Sequence, residues 1–303
     1  MFFRTGTIAI LALVLSACAG SKPNIEVPID PPPPLHLQKA PRVALVLGGG
    51  GARGYAHVGV ISVLQKAGVP IDLIVGTSAG SIFGSLYADQ GNISQETQEV
   101  MAAGFWDFAD IENYPSPGGI MQGYHIQKFL LTHMKAKQFN QLKIPFIAIT
   151  TDLQSGKVFP ISSGPVAPAV EASAAIPGLI KPVHLYGRTL IDGGMADPIG
   201  VNIAKRYHPQ VIIAVNVMSQ LTPAIPTSTN DIKMRAYTIS RINMTNMSAR
   251  GADVLIHPQV GEASVFDIKD KHKLFAEGQA AAEKALPKIE AILKEKNIQL
   301  NQH

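Results

Sequence analysis

Ser78 has the best-placed reactive side chain in this 303-residue sequence, inside Gly76-Thr77-Ser78-Ala79-Gly80. The Gly-x-Ser-x-Gly spacing alone decides little, because three fixed positions recur by chance in about a tenth of chains this long. Its setting says more. Ile71 to Val75 reads as a buried strand before it, and Ser81 to Asp89 as a helix after it. A strand-to-helix turn with small flanking residues can lift a serine hydroxyl clear of the backbone as a nucleophile elbow. The following helix then aims its N–H groups and positive dipole end at any oxyanion that forms. A tight turn with no reactivity is the rival reading.

A serine hydroxyl attacks only if a base takes its proton and a donor set holds the new charge. Gly48-Gly49-Gly50-Gly51-Ala52-Arg53-Gly54 follows the first apolar run directly. Successive glycines expose their N–H groups and make an anion-binding nest. Gly49, Gly50 and Gly51 are therefore expected to form an oxyanion hole, with the Gly50 and Gly51 amides the foremost donors. The same stretch, as Gly49-x-Gly51-x-x-Gly54, also fits a dinucleotide fingerprint. That fingerprint needs an acid about 20 positions on, at a strand's end. Asp72 begins its strand instead, which counts against a cofactor. Asp192-Gly193-Gly194 follows Arg188-Thr189-Leu190-Ile191. Its carboxylate can serve as the base or simply form an Asx turn, and local sequence leaves both open. Of the histidines, His208, His257, His272 and His303 follow Asp192 in the chain, yet none lies in a Gly/Ser-rich turn. His57 is read as a helix-packing residue. No His/Asp/Glu grouping has metal-ligand spacing, so neither metal nor cofactor is expected.

Taken together these stretches resemble the bacterial patatin-like phospholipases. The match runs through Gly48 to Gly54, then Tyr55-Ala56-His57-Val58-Gly59-Val60, Gly76 to Gly80, Ala172-Ser173-Ala174-Ala175-Ile176-Pro177 and Asp192-Gly193-Gly194, in the family's order. The resemblance implies a Ser78–Asp192 dyad in place of a triad, with the first glycine loop as oxyanion hole. Arg53 falls where the family carries Lys or Arg, either to orient a phosphate head group or to brace the loop. Asp152, in Thr151-Asp152-Leu153-Gln154-Ser155-Gly156, matches a recurrent family segment and is read as structural. The implied activity is hydrolysis of fatty-acyl esters, as by a phospholipase A or a lysophospholipase. An acyltransferase or thioesterase using the same serine, or a non-catalytic lipoprotein module, are the alternatives.

The elements that must hold these residues are short apolar strands alternating with helices. Val43 to Leu47, Ile71 to Val75, Phe146 to Thr150, Val211 to Val215 and Val254 to Ile256 read as buried strands. Tyr55 to Ala67, 125–136, 166–175, about 231–250 and 270–296 read as helices. That alternation predicts an α/β fold, a three-layer α/β/α sandwich on a mostly parallel sheet. The stretch 105–123 lacks periodicity and is read as a lid, an access loop or a plain surface excursion.

The chain's start carries a different signal. Arg4, the apolar run to Leu15, and Leu15-Ser16-Ala17-Cys18 resemble a lipoprotein signal peptide over 1–17, with Cys18 as the lipidated residue. Residues 18–41, with Pro31-Pro32-Pro33-Pro34, form a stiff Pro-rich linker, and 42–303 the hydrolase domain. Ala19 after the cysteine suggests an outer-membrane lipoprotein facing the periplasm. Cys18 is the one cysteine, which excludes an intramolecular disulfide. The formal charge of +4 is spread without a long basic run, so no nucleic-acid partner is expected. The expected partners are a phospholipid or other acyl-ester substrate and the membrane itself.

Overall fold

The computed structural model describes residues 25, 29–30, 33–261 and 268–302. The expected signal segment, Cys18 and much of the linker lie outside them. The first strand, β1 (Val43–Leu47), is five apolar residues with no exposed surface. Such a run can only be a central strand covered on both faces. Its side chains divide with the two-residue period of a pleat. Val43, Leu45 and Leu47 join the larger core cluster, and Ala44 and Val46 the smaller.

Around it β2 (Ile71–Thr77), β5 (Phe146–Asp152), β10 (Val211–Val215) and β11 (Val254–Ile256) run parallel. β6 (Val158–Ile161), β8 (Val183–Leu185) and β9 (Arg188–Asp192) add antiparallel pairings at the far side. The strand order is β11-β10-β1-β2-β5-β9-β8, with β6 also on β5. The large cluster packs under α1 (Tyr55–Lys66), α2 (Ala79–Gln90), α4 (Tyr124–His133), α5 (Val166–Ser173) and α8 (Lys271–Glu295). The small cluster on the other face is closed by α6 (Val201–Lys205) and by residues such as Tyr207 and Ala249. The expected three-layer α/β/α fold is therefore present, on a mixed and mostly parallel sheet.

Two helices and several short strands add to the expected set: α3 (Ser94–Ala102), α6, and the small sheet of β3 (Ile111–Ser116), β4 (Gly119–Met121) and β7 (Gly178–Ile180). The aperiodic stretch 105–123 thus becomes a 3-10 turn and a hairpin, fixed by β4 pairing with β7. α7 (Thr229–Ser248) connects β10 to β11 and begins at Ser228, whose hydroxyl accepts from the Asp231 N–H at 3.1 Å. No helix among the described residues is long and apolar enough to cross a membrane.

The chain leaves β1 for β2 and β5 on one side and later returns to lay β10 on the other. The loops after β1 and β10 therefore diverge at the sheet's carboxyl edge, the place where open α/β sheets form a crevice.

Candidate active site

Ser78 sits at that edge in a backbone conformation unusual for a side-chain-bearing residue, φ 54° and ψ −121°. Hydrogen bonds hold it there from both sides. Its N–H donates to Ser173 Oγ at 3.0 Å, and that hydroxyl donates onward to the Ile149 carbonyl on β5 at 2.6 Å. Its carbonyl accepts from the Ser81 N–H at 2.8 Å, the Ile82 N–H at 3.2 Å and Ser81 Oγ at 2.7 Å. The turn closes only because Gly80 has no side chain, since a Cβ there would lie 2.0 Å from the Leu47 carbonyl.

Asp192 ends β9 and is brought to Ser78 by the antiparallel pairing of β9 with β5, where Thr150 faces Asp192. Its N–H donates to the Ala175 carbonyl at 2.9 Å, Thr151 Oγ1 donates to its carbonyl at 3.0 Å, and the Gly194 N–H donates to Oδ1 at 2.7 Å. Gly193 passes so close to β5 that a Cβ would lie 2.1 Å from the Ile149 carbonyl. The carboxyl is buried, and burial pushes its pKa up from 3.8 to about 6. A hydrogen bond with the Ser78 side chain, the Gly194 amide and the positive charge of Arg241 all oppose that rise.

The glycine loop corrects one expectation. The Gly49 N–H already donates to the Pro198 carbonyl at 2.9 Å, as Gly48 does to Val215 at 3.0 Å, so Gly49 is not an oxyanion donor. Its part is steric, for it lets the loop pass against Ser78, whose Cβ would be 3.2 Å from a Gly49 Cβ. The Gly50 and Gly51 amides donate to no other described residue.

Of the two readings of Arg53, its contacts fit bracing the loop. Its Nε donates to the Gly50 carbonyl at 3.0 Å and its Nη1 to Ser219 Oγ at 2.7 Å, with the guanidinium buried against Met218 Sδ. In a trans peptide the carbonyl and the next N–H point in opposite directions. Pulling the Gly50 oxygen toward Arg53 therefore turns the Gly51 N–H the other way, and Gly51 lines the same cavity as Ser78. Burial, and repulsion from Arg241, lower the Arg53 pKa to about 10, so it stays charged at neutral pH.

No described histidine bonds to Ser78 or Asp192. His57 is buried, its Nε2 donating to the Gly48 carbonyl at 2.7 Å, and desolvation pushes its pKa down to about 4. It is a neutral brace, as expected. His257 Nε2 donates to the Met218 carbonyl at 3.0 Å, while His208 caps a turn and His272 is exposed. Asp152 pairs with Arg188 and accepts from the Gln154 and Ser155 amides, a structural post. Asp72 binds Arg42 at 2.8 Å where β2 begins, at the sheet edge opposite the glycine loop, so the dinucleotide arrangement is not formed. Among the described residues no cluster of His, Cys, Asp or Glu could hold a metal ion.

A cavity of about 120 Å³ opens beside the Ser78 side chain, walled by Phe83, Phe105, Met121, Ile126 and Ile180 among others. Among its lining side chains only Ser78 and Tyr55 carry a polar atom. The Tyr55 hydroxyl is buried without a hydrogen-bond partner among the described residues, and desolvation pushes its pKa up to about 12. From the stretch read as a lid, an access loop or a surface excursion, Phe105, Phe108, Ala109 and Met121 thus supply cavity wall. Ser173 was also missed as a support of Ser78, although its segment already carried the resemblance.

Residues 45–205, over half the chain, match the patatin-like phospholipase family. The chain belongs to that family. It is 38% identical over 182 residues to lysophospholipase nte1 of Aspergillus fumigatus, a match covering 58% of this chain and 12% of that protein. An uncharacterised NTE family protein of Mycobacterium tuberculosis is 36% identical over 179 residues, covering 59% of this chain and 49% of its own length. Patatin-like phospholipase domain-containing protein 6 of Mus musculus is 33% identical over 186 residues, 59% of this chain and 14% of its own. The matched region thus spans at most about half the length of these relatives. Among solved structures, VipD from Legionella pneumophila shares the fold with a TM-score of 0.57 and 13% identity, over 82% of this chain and 67% of that one.

Proposed function

We propose that this family member is a serine acyl hydrolase of lipids, with Ser78 as nucleophile and Asp192 as its base. The observation that carries the reading is the buried Asp192 carboxyl beside Ser78, which lines an apolar cavity, with burial raising the Asp192 pKa to about 6. A base with that pKa is ionised at neutral pH yet still able to hold a proton during turnover.

Asp192 takes the Ser78 proton as the hydroxyl oxygen attacks the acyl carbonyl. The Gly50 and Gly51 amides receive the oxyanion, and the C–O bond to the alcohol breaks as Asp192 returns its proton to that oxygen. Water then attacks the acyl-serine, giving its proton to Asp192 and finally restoring the Ser78 hydroxyl, and a fatty acid leaves. The apolar cavity suits the acyl chain of a lysophospholipid, phospholipid or similar ester, and the lysophospholipase relative supports that substrate class. The chemistry runs on the chain's own residues.

A fluorophosphonate probe is expected to label the wild type and not Ser78→Ala, and an acyl-ester panel is expected to yield free fatty acid. Labelling that survives in Ser78→Ala would sink the assignment, and an acylated alcohol as main product would make the enzyme a transferase. The reading also takes Cys18 as a lipid-modified anchor at the periplasmic face of the outer membrane. Metabolic incorporation of an alkyne fatty acid should then be lost in Cys18→Ala.

A further inference from the structure

α7 is a 20-residue helix of which Thr245 and Ser248 are the buried residues. Of the fifteen large apolar side chains exposed among the described residues, seven fall within 221–247: Leu221, Ile225, Ile232, Met234, Tyr237, Ile239 and Met247. Ile232, Ala236, Ile239 and Met247 lie on one stripe of the helix by their spacing, and that stripe faces away from the protein. A surface helix normally buries such a stripe and shows its polar side. Before it, Ile225 stands 87% exposed between Pro223 and Pro226. It is not a loose tip. Arg235 clamps the loop with bonds to the Thr222 carbonyl at 2.9 Å, Thr222 Oγ1 at 2.8 Å and the Ala224 carbonyl at 2.7 Å.

Charge on the segment is predominantly positive. Between 219 and 250 the basic residues are Lys233, Arg235, Arg241 and Arg250, and the one acid, Asp231, is held at the helix start by Ser228 Oγ at 2.6 Å. The side chains of Lys233 and Arg241 make no hydrogen bond or ion pair among the described residues.

Both ends of the segment are tied to the proposed catalytic loop. Ser219 Oγ accepts from Arg53, which also grips the Gly50 carbonyl. Ser248 Oγ accepts from the Ile199 N–H at 2.8 Å and the Gly200 N–H at 3.1 Å and bonds Asp197, next to the Pro198 carbonyl that receives Gly49. The Arg241 charge reaches Asp192 and Arg53 from this helix.

We infer that residues 219–248 form the surface by which the folded domain docks on an anionic lipid bilayer. Aliphatic and aromatic side chains enter the head-group boundary while Lys and Arg reach phosphates, the arrangement of interfacial helices. Lys233 stands between Ile232 and Met234, and Arg241 between Ser240 and Ile242. Cations interleaved with apolar residues fit a head-group layer, where long side chains snorkel, better than the desolvated core of a protein interface. The inference rests on the lipid-hydrolase reading only for its purpose, which is to bring Ser78 to substrate in the bilayer.

The full chain carrying Cys18→Ser, so that no acyl anchor contributes, tests this. Tyr237→Trp in a Trp106→Phe background leaves one indole, on α7. Vesicles containing phosphatidylglycerol should shift its emission to the blue and bind at least tenfold more tightly than pure phosphatidylcholine vesicles. Ile225→Glu combined with Ile239→Glu should weaken vesicle binding and vesicle-lipid hydrolysis at least tenfold, and leave a water-soluble short-chain ester hydrolysed at the parent rate. Unchanged emission with both vesicles would overturn the proposal. So would equal binding to both, equal loss on the soluble ester, or a blue-shifted indole in a lipid-free dimer, which would make the face a contact between copies. A chain that binds vesicles but hydrolyses no ester would refute the hydrolase reading alone.

Discussion

Asp192 is a carboxyl that the fold keeps dry, and both its reactivity and its cost follow from that. Its folded pKa is raised from 3.8 to about 6, so the protonated form is the one burial favours. The sign for stability follows: its contribution is fully present below about pH 4 and is lost as pH rises through about 6. Ionised Asp192 therefore costs the folded state up to about 3 kcal/mol at pH 7.5. Asp192→Asn is expected to unfold at higher urea than wild type at pH 7.5, with no such gain at pH 3.5. The same variant should lose about 10²–10⁴ in turnover, as expected for removing a positioned base. Wild-type kcat/KM should rise through about pH 6 and level off above it. A variant of wild-type activity, or one destabilised at pH 7.5, would remove Asp192 from its place as a strained base. Sequence offered this residue as either a base or an Asx turn. The structure has the carboxyl receive the Gly194 amide, which makes the Asx turn, and places it beside Ser78, as the proposed base requires.

At the scale of elements, the glycine loop works because its neighbours consume some of its amides and leave others. The β10 end and the 197–200 turn use up Gly48 and Gly49, and Arg53 turns the next peptide so that the Gly51 N–H faces the cavity side. Arg53→Met keeps most of the apolar stem and removes that grip. Its kcat is expected to fall at least tenfold with KM little changed, because a misaimed donor is lost chiefly in the transition state. A rise in KM alone would restore Arg53 to a substrate-binding part. The main strands and long helices were legible because runs such as Val43–Leu47 or Val211–Val215 carry their burial in their composition. β6, β7 and β8 were not, since three or four residues with mixed burial show no period. Their pairing depends on partners far along the chain, as when Met121 meets Ile180.

For the whole molecule, the cavity beside Ser78 draws its wall from α1, α2, the 105–121 segment, α4 and the 174–180 region. Ala109 is 3% exposed on that wall. Ala109→Phe should fill cavity space and lower kcat/KM for long acyl chains at least tenfold relative to short ones, read from an ester chain-length series. An unchanged chain-length profile would place the acyl group elsewhere. The sequence by itself determined the α/β class, the strand–Ser78–helix turn, the glycine loop and a candidate aspartate, because each is written in neighbouring residues whose spacing has local physical meaning. Only the tertiary structure decided which glycine amides remain free, that Arg53 braces the loop, that Asp192 meets Ser78 in a dry site, and that α7 shows its apolar stripe outward. Those properties belong to hydrogen bonds and burial between residues up to 166 positions apart, as in Arg53 and Ser219, and no local pattern encodes such pairings.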